Sequence, residues 1–311
     1  MTDFILHHYP PSPFGRKVRA VLGLKNLTWR SCIVAQKLPR PSLAVLAGGY
    51  RRIPVLQIGA DIFCDSNLIV RVLDKLSPAP ALQASPDLLS APISQWFEPR
   101  MFSVFSPLRF RTREDVTGAF ESDDARAKFV RDRLGFMAPM LDIRKNADIV
   151  AQCAVHARHF CRFLDDVLRD GRAYLQGSAP THADFSAFHP LHWLQGHSAH
   201  RDFLTEFERV WAWVDRVSAL GEGTYTPITE HEAIAVAHAA TPAFSFDAQP
   251  GAGDPALGAQ VRVAPTDYGV DPVEGVLTSI GPAHVSIARA TDETGPLAQH
   301  FPRWGYRVDA L

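Results

Sequence analysis

The chain lacks the charge imbalance that marks nucleic-acid or membrane-surface proteins. Its 311 residues carry 32 Lys and Arg against 33 Asp and Glu, a formal net charge of −1, and the basic residues form no single block. A sequence-independent grip on phosphates needs a concentrated positive face, so nucleic acid is not an expected partner. No apolar run approaches the roughly eighteen residues of a membrane span. The opening Met1-Thr2-Asp3-Phe4-Ile5 puts an acid where a secretory signal is basic. Cysteine is scarce: Cys32, Cys64, Cys153 and Cys161 form no C-x-x-C pair, which suits a reducing compartment better than a disulfide scaffold. Cys153, His156, His159 and Cys161 invite a metal reading. The last of these leaves the side of the helix that the other three share, and no partner pair follows downstream, so no metal is expected. A soluble, cytoplasmic protein with neither a nucleic-acid nor a membrane partner is the expectation.

A chain of this length has room for two domains and a smaller third. Phe4 to His8 reads as a strand running into the proline-interrupted turn Tyr9-Pro10-Pro11. Ser12-Pro13 then has the pattern of a helix cap followed by proline in the first turn, with Val18, Val21 and Leu22 as the apolar stripe of a helix to about Leu24. Thr28 to Val34 reads as a second strand, parallel to the first. A short helix follows around Ser42 to Leu46. Ile53-Pro54-Val55-Leu56 opens a hairpin that turns at Gly59-Ala60, and Asp65-Ser66 starts an amphipathic helix with Ser66 as a plausible cap. By local pattern alone Ser12 and Ser66 are caps and Arg52 is a solvated charge. A hydroxyl at a helix N-terminus can also serve a bound anion, because unpaired N–H groups and the helix dipole favour negative charge there.

Strand, turn, helix, strand, proline-led hairpin and closing helix together resemble the thioredoxin-like N-terminal domain of the glutathione S-transferase superfamily. The helix-opening Ser12-Pro13-Phe14-Gly15 is similar to the serine-type motif of the tau class. The resemblance implies that Ser12 donates a hydrogen bond to the thiolate of glutathione, with Tyr9 as the rival donor. It also implies a cis Pro54 that frees the backbone of Ile53 to pair with the cysteine of glutathione. Ser66 and the helix start would meet the γ-glutamyl carboxylate, Asp65 the α-amine, and Arg52 the glycyl carboxylate.

Ser77-Pro78-Ala79-Pro80-Ala81 and Ser85-Pro86 mark a linker. Residues 87–242 read as helical without a convincing strand, beginning with the aromatic cluster Trp96, Phe97, Met101, Phe102 and Phe105. Such clusters are ordinarily core. In the family this helix also faces the sulfur, so Met101 and Phe105, with Tyr9 and Phe14, are candidates for the co-substrate pocket. Thr181 and Asp184 have capping-box spacing ahead of an apolar run, and the Gly177 to Phe185 stretch resembles the family's capping box in its all-helical C-terminal domain. Residues 245–311 are rich in Gly, Pro and Asp, with short β runs at 259–264, 275–280, 284–290 and near Arg307. They read as a small all-β module of barrel type, with Phe301 to Tyr306 as core, and ordinary family members stop before it. The expected fold class is α+β multidomain: thioredoxin-like over 1–80, all-helical over 87–242, and a β module over 245–311.

The function so implied is conjugation of glutathione, as co-substrate, to a small hydrophobic electrophile by a detoxifying homodimer. Serine where disulfide reductases of the family carry cysteine disfavours thioltransfer. A glutathione-dependent isomerase or dehalogenase stays compatible, as does a non-catalytic binding or scaffold protein that keeps the fold.

Overall fold

A computed structural model describes residues 2–82, 90–111, 122–137 and 148–311. The chain divides into two compact units, Met1–Leu76 with Glu222–Leu311, and Ser77–Gly221. Ser85-Pro86 of the expected linker and the Trp96 side chain lie outside the described residues.

The first unit opens β1 (Ile5–His8), α1 (Pro13–Leu24), β2 (Thr28–Ile33), α2 (Pro41–Ala47), β3 (Val55–Ile58), β4 (Asp61–Cys64) and α3 (Ser66–Leu76). β2 runs parallel to β1, as a helical crossover requires, and β3 and β4 form an antiparallel hairpin on β1's other side. The apolar stripes bury as their spacing predicts: Val18, Val21 and Leu22 on α1, and Leu68, Ile69, Val72 and Leu73 on α3.

The second unit is helical: α4 (Ser90–Arg109), α5 (Asp123–Met137), α6 (Ile149–Val167), α7 (His182–Leu194), α8 (Ser198–Phe203) and α9 (Glu208–Ser218). The capping box is formed. The Asp184 carboxylate is wholly buried and accepts from Thr181 N at 2.8 Å and Thr181 Oγ1 at 3.0 Å. Its other oxygen takes Leu175 N at 2.8 Å and Trp213 Nε1 at 2.9 Å, so one acid ties the start of α7 to a loop and to α9.

Two expectations change. Residues 222–242 are not helical throughout: Thr224–Ile228 is a strand, β5, parallel to β2, and Glu230–His238 (α10) follows it in the first unit. Pro227 hid this strand, because proline is tolerated only where no ladder N–H is needed, and β5 is an edge. The tail is strand-rich as expected: β6 (Gln260–Pro265), β7 (Val273–Gly281), β8 (His284–Thr291), β9 (Gly295–Pro302) and β10 (Tyr306–Ala310). Its strands do not close into a separate barrel. They continue the first sheet, giving ten strands in the order β10-β6-β7-β8-β9-β4-β3-β1-β2-β5. Left alone, β4 and β9 would each present an unpaired edge; laid side by side in parallel, they satisfy each other.

The joint is polar on one side and apolar on the other. Asp61, at the start of β4, accepts Ala243 N at 2.8 Å and Phe244 N at 3.0 Å on Oδ2, while Oδ1 faces His300 Nε2 at 3.1 Å. His300 Nδ1 meets Ser286 Oγ at 2.8 Å, and the imidazole stacks on Phe63. Serine, histidine and acid stand in the order of a hydrolytic triad, but all three are buried within the sheet. On the apolar side Val55 and Ile62 share a core cluster with Val263, Ile280, Val285 and Phe301. Gly48, at φ +61°, permits this approach, since a Cβ there would lie 2.6 Å from the Arg289 guanidinium carbon. Of the aromatic corner expected to be core, Phe301 and Tyr306 are buried and Trp304 is exposed.

Candidate functional site

Strand register brings the candidate residues to one end of the sheet. His7 on β1 pairs with Val55 on β3, and Val55 pairs with Cys64 on β4. The chain therefore leaves β1 toward Ser12, enters β3 through Ile53-Pro54, and leaves β4 toward Asp65-Ser66 at neighbouring positions. The Ile53–Pro54 peptide bond is cis. Two helices begin here, α1 after Ser12 and α3 after Asp65.

Ser12 caps α1: its Oγ accepts Gly15 N at 3.1 Å. Because the oxygen takes that bond as an acceptor, the hydroxyl proton remains to be donated elsewhere. Asp65, and not Ser66, has the capping role on α3. Its Oδ1 accepts Asn67 N at 2.9 Å, and its backbone holds φ +79°, a left-handed conformation that Asp tolerates better than most residues. Ser66 is the first helical residue. Its Oγ lies 3.5 Å from Lys17 Nζ, which donates to Asn67 Oδ1 at 2.8 Å. Lys17 is a fully buried cation on α1 that ties the two helix starts together.

The tail reaches the same place. Tyr306 donates its hydroxyl to Asp65 Oδ2 at 3.1 Å and lies 2.7 Å from the Tyr50 hydroxyl. Burial, then the Asp65 carboxylate, push both phenols well above their ordinary range, so both stay protonated and able to donate. Arg52 is nearly buried and not a solvated charge. Its Nε donates to Tyr268 O at 3.0 Å, its Nη2 binds the Asp267 carboxylate, and its guanidinium stands 4.0 Å over the Tyr268 ring. Nη1 lies 3.7 Å from Asp65 Oδ2.

The pocket candidates scatter. Phe14 is half-buried with its ring 6.5 Å from that of Tyr268, and Tyr9 packs against the core with Arg40 over its ring. In the helical unit Met101 is half-buried, whereas Phe105 is wholly buried edge-on to Phe160, a core position. Burial also pushes the thiols of Cys32, Cys64 and Cys161 up to about 12 and that of Cys153 to about 11, so none is poised as a nucleophile. Among the described residues no cluster of three or more His, Cys, Asp or Glu could hold a metal, and no helix is long and apolar enough to cross a membrane.

Lys17, Asp267 and Tyr268 were not singled out from sequence, and Tyr306 was read only as part of the core. A lysine among the buried residues of α1 was a visible signal, because a buried charge demands partners. The other three sit more than two hundred residues from the groups they touch and carry no local mark.

The sequence model of the glutathione S-transferase N-terminal domain matches residues 6–81, and that of a domain of unknown function matches residues 122–224. No curated protein matches. Among solved structures, a GST-like protein from Pseudomonas syringae is 31% identical over 100% of both chains, with a TM-score of 0.82. A glutathione S-transferase from Rhodospirillum rubrum shares the fold at 19% identity and a TM-score of 0.52, over 70% of this chain and 88% of its own. The tail is thus shared with the Pseudomonas protein, whose match spans the whole of both chains.

Proposed function

Since the chain belongs to the glutathione S-transferase superfamily, we propose that it is a serine-type glutathione transferase, joining the glutathione sulfur to a small hydrophobic electrophile. The observation that carries this reading is the convergence of Ser12, Ile53–Pro54 and Asp65-Ser66 at one sheet end. A thiol near pKa 8.5 is mostly protonated at neutral pH, and each unit by which a site lowers it corresponds to about 1.4 kcal/mol. Ser12, with an acceptor bond already made to Gly15 N, turns its proton to the sulfur. The N-terminus of α1 adds a favourable field for the thiolate. The backbone of Ile53 holds the cysteine of glutathione, Ser66 and the start of α3 hold the γ-glutamyl carboxylate, and Asp65 holds its amine. Tyr9 and Phe14 are proposed as walls for the electrophile. Arg52, committed to the tail, acts on the tripeptide through its charge and not as a free partner of the glycyl carboxylate. A cytoplasmic homodimer completes the proposal, because glutathione is abundant in the cytosol.

The test is glutathione binding by calorimetry and conjugation of a generic aryl halide, each in wild type and Ser12→Ala. Turnover is expected to fall at least tenfold while affinity changes by less than about threefold, as loss of one charge-assisted hydrogen bond to the thiolate implies. Unchanged turnover would move the donor role to Tyr9 or to the backbone. No binding at millimolar glutathione would leave a non-catalytic protein on a transferase scaffold.

A further inference from the structure

The ten-stranded sheet ends on β5 at one side and on β10 at the other, and the two ends are finished differently. Thr224 N donates to Leu27 O at 3.0 Å, so along β5 it is Tyr225 and Pro227 that turn their backbones outward. Pro227 has no N–H to offer a further strand, and that side is closed. On β10, Leu311 N donates to Gln260 O at 3.0 Å and Gly305 O accepts Thr266 N at 2.9 Å. The backbones of Arg307 and Asp309 therefore face β6, and those of Tyr306, Val308 and Ala310 turn outward. The Tyr306 carbonyl accepts from Arg303 Nη1 at a long 3.5 Å. No proline or lysine stands on β10, and among the described residues no strand lies beyond it.

The charged side chains supply a register for what covers this edge. Glu274 on β7 lies opposite Arg262 on β6, and Asp309 on β10 lies opposite the same arginine, so acid, base and acid alternate across three strands up to the open side. Arg262 is committed to Glu274 at 2.7 Å. Arg307 has Ala264 opposite it, and its Nε lies 3.5 Å from Asp309 Oδ2 along its own strand, with the two side chains 57% and 53% exposed. The row of Asp309 thus calls for a cation beyond it, and that of Arg307 for an acid. A second β10 laid antiparallel, Val308 against Val308, supplies both. Arg307 of each copy then stands opposite Asp309 of the other, in pairs without backbone bonds, where side chains come closest. A twofold axis one residue to either side sets Arg307 or Asp309 against its like. The same pairing brings Leu311 of one copy opposite Gly305 of the other, next to Trp304, and Leu311 and Trp304 are each 61% exposed. We propose that β10 is an interface between two copies of this chain, joined edge to edge about a twofold axis at Val308 into one continuous sheet. This goes beyond the homodimer proposed above by naming its surface, and it does not depend on glutathione.

The experiment is sedimentation equilibrium of the full chain in four forms: wild type, Arg307→Asp, Asp309→Arg and Val308→Pro. A strand of five residues makes a small interface, so the dissociation constant is expected on the order of 10 µM, and the concentrations bracket that value. Wild type should associate. Each charge reversal sets like charges opposite at both symmetry-related positions and should raise the dissociation constant at least about tenfold. Mixing the Arg307→Asp and Asp309→Arg chains sets acid against base again at both positions, and the mixture should associate where neither variant does alone. A loss of local structure would not be rescued by mixing. Val308→Pro removes an outward N–H and no bond to β6, and should weaken association without unfolding the sheet. Should that variant fail to fold, the charge reversals, both on exposed side chains, carry the test. Where another surface also joins copies, the same variants halve the mass instead of yielding a monomer. A wild type that is monomeric throughout would overturn the proposal, as would a mixture no more associated than its components. A dimer unchanged by every variant would overturn it too, placing the partner on another surface and leaving the homodimer itself in place.

Discussion

Replacing Asp61 by alanine tests whether the tail belongs to the sheet or merely leans on it. The carboxylate accepts two backbone N–H groups, from Ala243 at 2.8 Å and Phe244 at 3.0 Å, and faces His300 Nε2 at 3.1 Å. Truncation strands all three at the one place where β4 and β9 meet. A stranded donor costs about 1–3 kcal/mol, and water entering the space left by the carboxylate recovers part of that. A loss of about 3–5 kcal/mol is expected, the sum over the stranded groups less what water recovers. For a unit of this size it should appear as a fall of roughly 10 °C in the melting temperature. Urea denaturation followed by circular dichroism measures the loss, and limited proteolysis should show earlier cleavage in the segment after Ala240. Asp61→Asn keeps one acceptor oxygen and should lose less. A loss below about 1 kcal/mol would refute the clamp. A variant of full stability but abolished turnover would refute it differently, by giving the Ser286–His300–Asp61 chain a chemical role.

Acid should weaken the first unit before carboxylates titrate. Burial lowers His7 to about 4, and burial followed by the Arg19 charge lowers His8 to about 3. Both are neutral when folded and take a proton near 6.5 when unfolded, so stability is full above 6.5 and lost progressively as pH falls toward 4. For His7 alone the whole loss is about 3 kcal/mol and the loss at pH 5 about 2 kcal/mol. Urea midpoints between pH 5 and 7 check it, and His7→Gln should flatten the slope; an unchanged slope would contradict the assignment. In the helical unit, Asp184→Ala strands three N–H donors, of Leu175, Thr181 and Trp213. It should cost about 3–4 kcal/mol with glutathione affinity unchanged, and a coupled loss of affinity would show that this acid does more than hold α7.

Much of this protein was written locally. Ser12-Pro13 announces the start of α1, the Gly59-Ala60 turn announces the hairpin, and the Thr181/Asp184 spacing announces α7, because caps, tight turns and helical periodicity depend on residues within a few positions of one another. The thioredoxin-like order, and with it the positions of Ser12, Pro54 and Asp65-Ser66, could be read the same way. Their meeting at one sheet end depends on register, which local pattern only implies.

What lies at long range was settled by tertiary structure. Several tail strands were legible one by one, but β9 was obscured by Pro296 and Pro302 at its ends, and nothing in its residues names β4 as its neighbour. Whether two strand edges close on themselves or on each other is decided by the shape and buried polar groups of both, here Asp61 with His300 and Gly48 with Arg289. Arg52 shows the difference most plainly. Alone in the sequence it is an ordinary surface cation; in the fold, a loop more than two hundred residues away supplies the carboxylate, carbonyl and ring that bury it.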